Sequence, residues 1–395
     1  MCFKVFKNTV LLLVFVSISC GSKTKNDLSE KNEILQTIYA TPNRQIQKDN
    51  LIQDDNSIVV GANRTEQYLS LLLGERVGVV ANQTSVIFKE VDTIIKQSRS
   101  GVSYTHFIDS LLSLNIDIKK VFAPEHGFRG TADAGELVKD GKDNKTGLPI
   151  FSLHGKHKKP TKQQLKDLDI MVFDIQDVGV RFYTYISTLH YVMEACAENN
   201  VPLLILDRPN PNGNYVDGPV LDTQYSSFLG MHPVPLVHGM TIGEYAQMIN
   251  GEGWLKGGAT CDITIVEVEN YTHDVHYSLP IRPSPNLPND QAIILYPSLG
   301  LFEGTDINAG RGTEFQFQRY GAPFLDKTRY NFSYTPESNF GSKYPKHKGE
   351  TCYGVDLSNL KAERQLTLKY VIDAYRNAIN KSKVFDTSNF TTHAG

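Results

Sequence analysis

Four apolar runs, each ending in a polar or acidic cluster, constrain this chain more than any other feature of it. Arg76–Ala81 (RVGVVA) leads into Asn82-Gln83-Thr84-Ser85, and Ile116–Ala123 leads into Pro124-Glu125-His126. Asp169–Phe173 (DIMVF) is followed by Asp174-Ile175-Gln176-Asp177, and Val201–Leu206 (VPLLIL) by Asp207-Arg208-Pro209-Asn210. Stretches of helical period lie between them. Phe107, Leu111 and Leu114 share one face of a helix over Phe107–Leu114, and Pro160-Thr161 starts a helix that turns Leu165 and Leu168 inward. Tyr183, Ile186, Leu189, Val192, Met193 and Cys196 recur at helical spacing over Tyr183–Asn200. Strands alternating with helices predict a parallel, Rossmann-like α/β sheet. No G-x-G-x-x-G follows the first strand, so nothing points to a dinucleotide and no cofactor is expected. The polar clusters should meet at the carboxyl edge of the sheet, where open α/β folds bind ligands.

The remaining pattern is less regular. Tyr68, Leu71 and Leu72 predict a short amphipathic helix ended by Gly74. Residues 127–162 read as a long, charged, glycine-rich loop with one apolar piece, Leu148–Leu153. A helix is expected over Ile242–Ile249 and a strand over Asp262–Val268. The proline-rich RPSPNLPN at 282–289 marks a boundary between a catalytic domain over 58–281 and a C-terminal domain over 282–395. Beyond it come loops at Gly304-Thr305 and Gly310–Thr313, a strand over Tyr353–Leu357, and a helix over Thr367–Asn380 with Leu368, Val371, Ile372 and Tyr375 inward. With 395 residues, 40% of them hydrophobic and 21% charged, the chain can bury a sizeable core. Its net charge of −3 gives no reason to expect a nucleic-acid partner.

The first residues address the chain out of the cytoplasm. Lys4 and Lys7 precede the apolar run Val10–Val16, and Ser17–Ser19 lead to Cys20. This is a signal-peptide pattern, too short for a spanning helix. A small-residue run ending in cysteine resembles a bacterial lipobox, although Ser17 stands where leucine is usual. Residues 1–20 are therefore read as a lipoprotein signal peptide with Cys20 lipidated, and 21–57, polar and mixed in charge, as a flexible tether. The expected location is periplasmic, with membrane attachment through the lipid alone. Once Cys20 is lipidated, Cys196, Cys261 and Cys352 are an odd count that argues against a disulfide framework in an exported protein, and no C-x-x-C or H-x-x-x-H pair suggests a zinc site.

Chemistry concentrates at VFAPEHGFRGTADAGE (121–136). Pro124 ends the strand because it has no N–H to donate, and a carboxylate, an imidazole and a glycine follow at once. Two carboxylates flanking a sugar oxygen can hydrolyse a glycoside. Glu125 with Asp174, Asp177 or Glu303 would supply them, and desolvation at a strand mouth would weaken the acidity of Glu125 as a general acid requires. Glu125 could also simply cap the next helix. A metal hydrolase using Glu125, His126, Asp174 and His238 is the competing chemistry, while no G-x-S-x-G elbow supports a serine triad. Arg129, Arg181 and Arg311 are candidates to grip a substrate carboxylate by the bidentate fork, or to form structural ion pairs. Tyr183 and Tyr185 could stack on a sugar or lie in the core.

Six segments carry a resemblance. APEHGFRGTADAGE, DIQDVGVRFYTY, DRPNPNG, LVHGMTIGE, YPSLGLFEGTDINAGRGTEFQFQRYGAP and KHKGETCYGVDL closely resemble, in order from about Val59 to the end of the chain, the exo-β-N-acetylmuramidases of peptidoglycan recycling, the NamZ family. The resemblance implies a Rossmann-like parallel-sheet domain, a smaller α+β C-terminal domain and an active cleft between them. It also implies hydrolysis of the β-1,4 bond of a non-reducing terminal N-acetylmuramic acid in peptidoglycan fragments. Glu125 matches the Glu of the E-H-G motif and would be the catalytic acid, with His126 a positioning partner and Asp177 or Glu303 the second group. Asp174, Gln176, Arg181 and Tyr183 would share its strand edge. Asn286, Glu303 and the Gly310–Thr313 loop would form a subsite wall. Family members continue past FDTSNFTTHAG, so either the C-terminal domain is shorter here or the chain is a truncated product. A muropeptide-binding lipoprotein without turnover and a metal-dependent hydrolase are the alternatives. Oligomeric state has no signature in the sequence.

Overall fold

The central sheet forms where β-branched and aliphatic runs can be buried on both faces. A computed structural model describes residues 57–89, 103–130 and 139–395. The signal peptide, Cys20 and nearly all of the tether lie outside the described residues, as does TADAGE (131–136). Seven strands make the sheet: β1 (Val77–Ala81), β2 (Ile118–Ala123), β3 (Gly141–Lys142), β4 (Pro149–Ser152), β5 (Ile170–Asp174), β6 (Leu203–Leu206) and β7 (Ile263–Val266). Their spatial order is β7-β6-β5-β1-β2-β4-β3. All neighbours pair in parallel except the edge pair β3–β4. Val79 faces Val121 on one side and Val172 on the other, so β1, β2 and β5 end side by side. All five residues of β1 and of β5 are buried, the signature of a sheet covered on both faces.

Two elements differ from expectation on this side. The long loop over 127–162 contributes a true strand, β4, because Ile150 and Phe151 extend the ladder beside Val121 and Phe122. In the helix Thr65–Leu72 the inward residues are Tyr68, Leu69 and Leu72, while Leu71 is 41% exposed. The helix Tyr185–Asn199 is buried along most of its length, and Asn200, left-handed at φ 53°, caps it.

The second half of the chain adds an antiparallel sheet of β8 (Arg319–Ala322), β9 (Phe332–Tyr334) and β10 (Cys352–Asp356), with β10 central. A helix over Asp290–Leu299, unforeseen because Pro297 sits inside it, is capped by the Asn289 side chain accepting from Ala292 N. Pro297 falls in its last turn and has no N–H to donate to the carbonyl four residues back, so the helix gives up one internal hydrogen bond there. The helix Lys369–Arg376 corrects an expectation. Val371 and Ala374 face inward, whereas Leu368, Ile372 and Tyr375 are 52%, 42% and 39% exposed. A narrow stripe suffices for a helix on the outside of the layer, so apolar residues beside it remain in contact with water. One apolar core runs through both halves, from Val80 and Phe122 through Phe182 and Tyr296 to Leu325 and Val384. All described residues belong to one compact unit. Cys196, Cys261 and Cys352 are buried free thiols.

Candidate active site

Glu125 is delivered by a turn at the end of β2. Gly127 N donates to Pro124 O at 3.0 Å, and His126 and Gly127 are both left-handed, at φ 69° and 77°. A left-handed histidine is uncommon, and two such residues in succession swing the chain sharply off the strand. His126 is buried at 4% exposure, whereas Glu125 is only partly buried and lines a cleft of about 290 Å³. The start of the helix after β5 fixes Glu125 in place. Thr184 Oγ1 donates to Glu125 Oε2 at 2.8 Å. The Tyr185 hydroxyl meets Glu125 O at 3.4 Å and accepts from Asn82 Nδ2 at 2.9 Å. The loops after β1, β2 and β5 are thus tied into one edge.

The opposite wall comes from the second half of the chain. Asn286, Tyr296, Glu303, Arg311, Phe317 and His393 line the same cleft as Glu125, His126, Tyr183 and Thr184. Glu303 accepts from Arg311 Nη1 at 3.0 Å, and both remain part-exposed to the cleft. Tyr183 packs edge-on against Tyr185 at 4.8 Å, and its hydroxyl donates to Pro283 O at 2.7 Å, which clasps the two walls together. Burial raises the Tyr183 and Tyr296 phenols well above their ordinary range, so they stay neutral donors or acceptors at any working pH. Asn286 Nδ2 donates to Gly341 O at 2.7 Å, while its Oδ1 is buried without a hydrogen-bond partner in the structure.

Other residues singled out in the sequence lie away from this cleft and hold its frame. Asp174 and Arg208 form a buried two-pronged pair, Nε to Oδ1 at 2.6 Å and Nη2 to Oδ2 at 3.0 Å. Gln176 Nε2 donates to Asp177 O and Pro209 O at 2.8 and 2.7 Å, joining the loops after β5 and β6. Arg181, 1% exposed, donates to the carbonyls of Pro219, Val234 and Ala394. Arg129 makes a two-pronged pair with Asp143, whose carboxyl it holds well below the usual range, and so fastens the loop beyond the E-H-G turn. Of the three candidate arginines, Arg311 is the one lining the cleft.

Asp177 is buried, and desolvation pushes its carboxyl up to about 7 against the lowering effect of the Gly179 and Val178 amides. Its Oδ2 accepts from Gly179 N at 2.7 Å, while Oδ1 has no partner. His238 Nε2 stands 3.8 Å from Oδ2. Burial lowers that imidazole to about 3, so it is neutral and the contact is not an ion pair. Met240 N donates to His238 Nδ1, which puts the ring proton on Nε2, facing Asp177.

Glu125, His126, Asp174 and His238 do not gather as metal ligands, and no group of three His, Cys, Asp or Glu among the described residues could hold an ion. Sequence reasoning missed Thr184, Ser284, Tyr296 and His393 as wall residues. Thr184 had one available signal, a hydroxyl in the first turn of the predicted helix Tyr183–Asn200, next to the strand edge. The others carried none, since their roles depend on packing across the cleft.

The fold and the cleft define a Rossmann-like α/β protein whose smaller second lobe closes a pocket holding two carboxylates and an arginine. Family models for the exo-beta-N-acetylmuramidase NamZ, N-terminal and C-terminal, match residues 77–291 and 294–395, and the chain belongs to that family. It is 43% identical to the peptidoglycan beta-N-acetylmuramidase NamZ of Bacillus subtilis (strain 168), over 73% of this chain and 69% of that protein. Crystal structures of two DUF1343 family proteins of Bacteroides fragilis NCTC 9343 superpose with TM-scores of 0.75 and 0.68. Their identities to this chain are 44% and 29%, each alignment covering 86% of this chain and 88% and 89% of theirs.

Proposed function

We propose that this chain is an exo-acting β-N-acetylmuramidase that hydrolyses the β-1,4 bond of a non-reducing terminal N-acetylmuramic acid, with Glu125 as general acid. The observation that carries the reading is that Glu125, Glu303 and Arg311 face one cleft sized for about one sugar. Protonation of the glycosidic oxygen by Glu125 would let the leaving sugar depart as positive charge develops at the anomeric carbon. Thr184 Oγ1 holds the Glu125 carboxylate on the cleft wall. Glu303 is the second carboxylate in this scheme, and Asp177 supports the strand edge. The substrate's own acetamido carbonyl is an alternative nucleophile, and the buried Asn286 Oδ1 is an acceptor suited to the acetamido N–H. Arg311 would select the lactyl carboxylate that distinguishes muramic acid from glucosamine.

Turnover of a MurNAc–GlcNAc disaccharide in the presence of EDTA, with products resolved by mass spectrometry, tests this. Free N-acetylmuramic acid from the wild type, and a Glu125→Gln variant that binds the disaccharide but is about 10²–10⁴-fold slower, are expected. Binding without product in the wild type would make the chain a muropeptide-binding protein, and activity lost to chelator and regained with metal would make it a metal enzyme. A cell-wall substrate also accords with export and lipidation at Cys20, which we propose together. Radiolabelled palmitate should enter the wild type and not Cys20→Ala.

A further inference from the structure

A second cavity of about 280 Å³ adjoins the cleft, and Glu303 and Arg311 line both. Half of its remaining wall comes from the segment Ser338–Lys346, which contributes Ser342, Tyr344, Pro345 and Lys346, and the rest from Phe302, Ile307, Asn308 and Ala309. This segment is built rather than loose. Asn339 and Ser342 exchange backbone hydrogen bonds at 3.0 and 3.2 Å, and Ser338 Oγ donates to Lys343 O at 2.5 Å. Asn286, itself on the wall of the catalytic cleft, donates to Gly341 O. Lys346 Nζ donates to the carbonyls of Phe302, Glu303 and Thr305, and Asn308 Nδ2 donates to Lys346 O at 2.9 Å. On this tied-down segment Tyr344 is 90% exposed. A large aromatic ring held in water on a braced support gains nothing from the core, and it offers a flat apolar face beside hydroxyl and amide partners.

We propose that this second cavity is a binding subsite for the sugar on the reducing side of the scissile bond, an N-acetylglucosamine-type residue, with Tyr344 as its stacking platform. The inference rests on the glycosidase reading of the neighbouring cleft. A cleft sized for one sugar must pass the rest of its glycan outward. The Glu303–Arg311 wall, common to the two cavities, sets the plane where the bond between the sugars would lie. A pyranose has one face of C–H groups and a rim of hydroxyls. The mixed lining of an aromatic ring, Ser342, Asn308, a carboxylate and a guanidinium matches that pattern.

Two substrates separate this subsite from the catalytic cleft. MurNAc–GlcNAc fills both cavities, whereas the β-glycosyl fluoride of N-acetylmuramic acid has a one-atom leaving group and leaves the second cavity unused. Tyr344→Ala should raise KM for the disaccharide about tenfold, the scale of one lost aromatic contact, and change kcat/KM for the fluoride less than about twofold. Tyr344→Phe, which keeps the ring, should behave as wild type on both. At 90% exposure the truncation removes no core packing. Equal effects of Tyr344→Ala on the two substrates would overturn the subsite. So would an effect confined to substrates carrying a peptide on the lactyl group, which would assign the cavity to that peptide instead. A wild type that hydrolyses neither substrate would overturn the glycosidase reading, and the subsite with it.

Discussion

Thr184 Oγ1 donates a 2.8 Å hydrogen bond to Glu125 Oε2, joining the residue that precedes the helix Tyr185–Asn199 to the loop after β2. Both residues sit on the cleft wall, and Thr184 is 6% exposed. The bond fixes the orientation of the Glu125 carboxylate on the cleft wall. Thr184→Val keeps the shape and removes the donor. We expect kcat on MurNAc–GlcNAc to fall about 10- to 100-fold with KM little changed, because the carboxylate is still present but misplaced. Thr184→Ser should recover most of the rate. An unchanged kcat for Thr184→Val would show that Glu125 needs no such support.

Arg311 carries a prediction about selectivity. Its guanidinium stands against Glu303 on the cleft wall. Arg311→Lys leaves a positive charge without the planar fork, so kcat/KM for muramic acid substrates should fall while that for the matching N-acetylglucosamine glycosides changes little. The ratio of the two should narrow by about 10²-fold. Equal losses on both substrates would assign Arg311 to orienting Glu303 rather than to reading the lactyl group.

Asp177 makes stability depend on pH. Its carboxyl is raised by burial from 3.8 to about 7. A raised carboxyl binds its proton more tightly in the folded state, so its contribution is most favourable below the unfolded value of 3.8. Stability is lost as pH rises toward about 7 and levels off above it. Asp177→Asn keeps an oxygen for the Gly179 N–H and carries no charge. Thermal unfolding followed from pH 4 to pH 8, with wild type and variant side by side, should give a flatter profile for the variant. Its relative gain should be largest at the alkaline end. Parallel profiles would mean that Asp177 titrates near its ordinary value.

The buried Asp174–Arg208 pair should be costly to halve. Arg208 is 3% exposed, and its guanidinium also donates to Val86 O at 3.1 Å. Arg208→Ala strands a carboxylate in the sheet edge and is expected to cost about 3–5 kcal/mol in denaturant unfolding. A loss below about 1 kcal/mol would imply that water reaches Asp174.

The chain's local chemistry settled much of this molecule. Apolar runs ending in polar clusters specify parallel strands whose carboxyl ends share an edge, because period, length and Pro124 act over a few residues. That is why β1, β2, β5 and β6, and the position of Glu125 at the edge, were legible in the sequence. Tertiary structure alone decided how the polar residues divide their labour. Arg129, Arg181 and Arg311 look alike in a sequence, yet Arg129 closes on Asp143, Arg181 is enclosed by backbone carbonyls, and Arg311 reaches the cleft. Asp174 and Asp177 sit three residues apart, but one meets Arg208 while the other meets backbone amides and a neutral imidazole. Such outcomes turn on desolvation and on partners brought from tens to hundreds of residues away. The Glu125–Glu303 cleft is likewise made only when the helix carrying Tyr296 packs against Phe182, with ring centroids 5.1 Å apart.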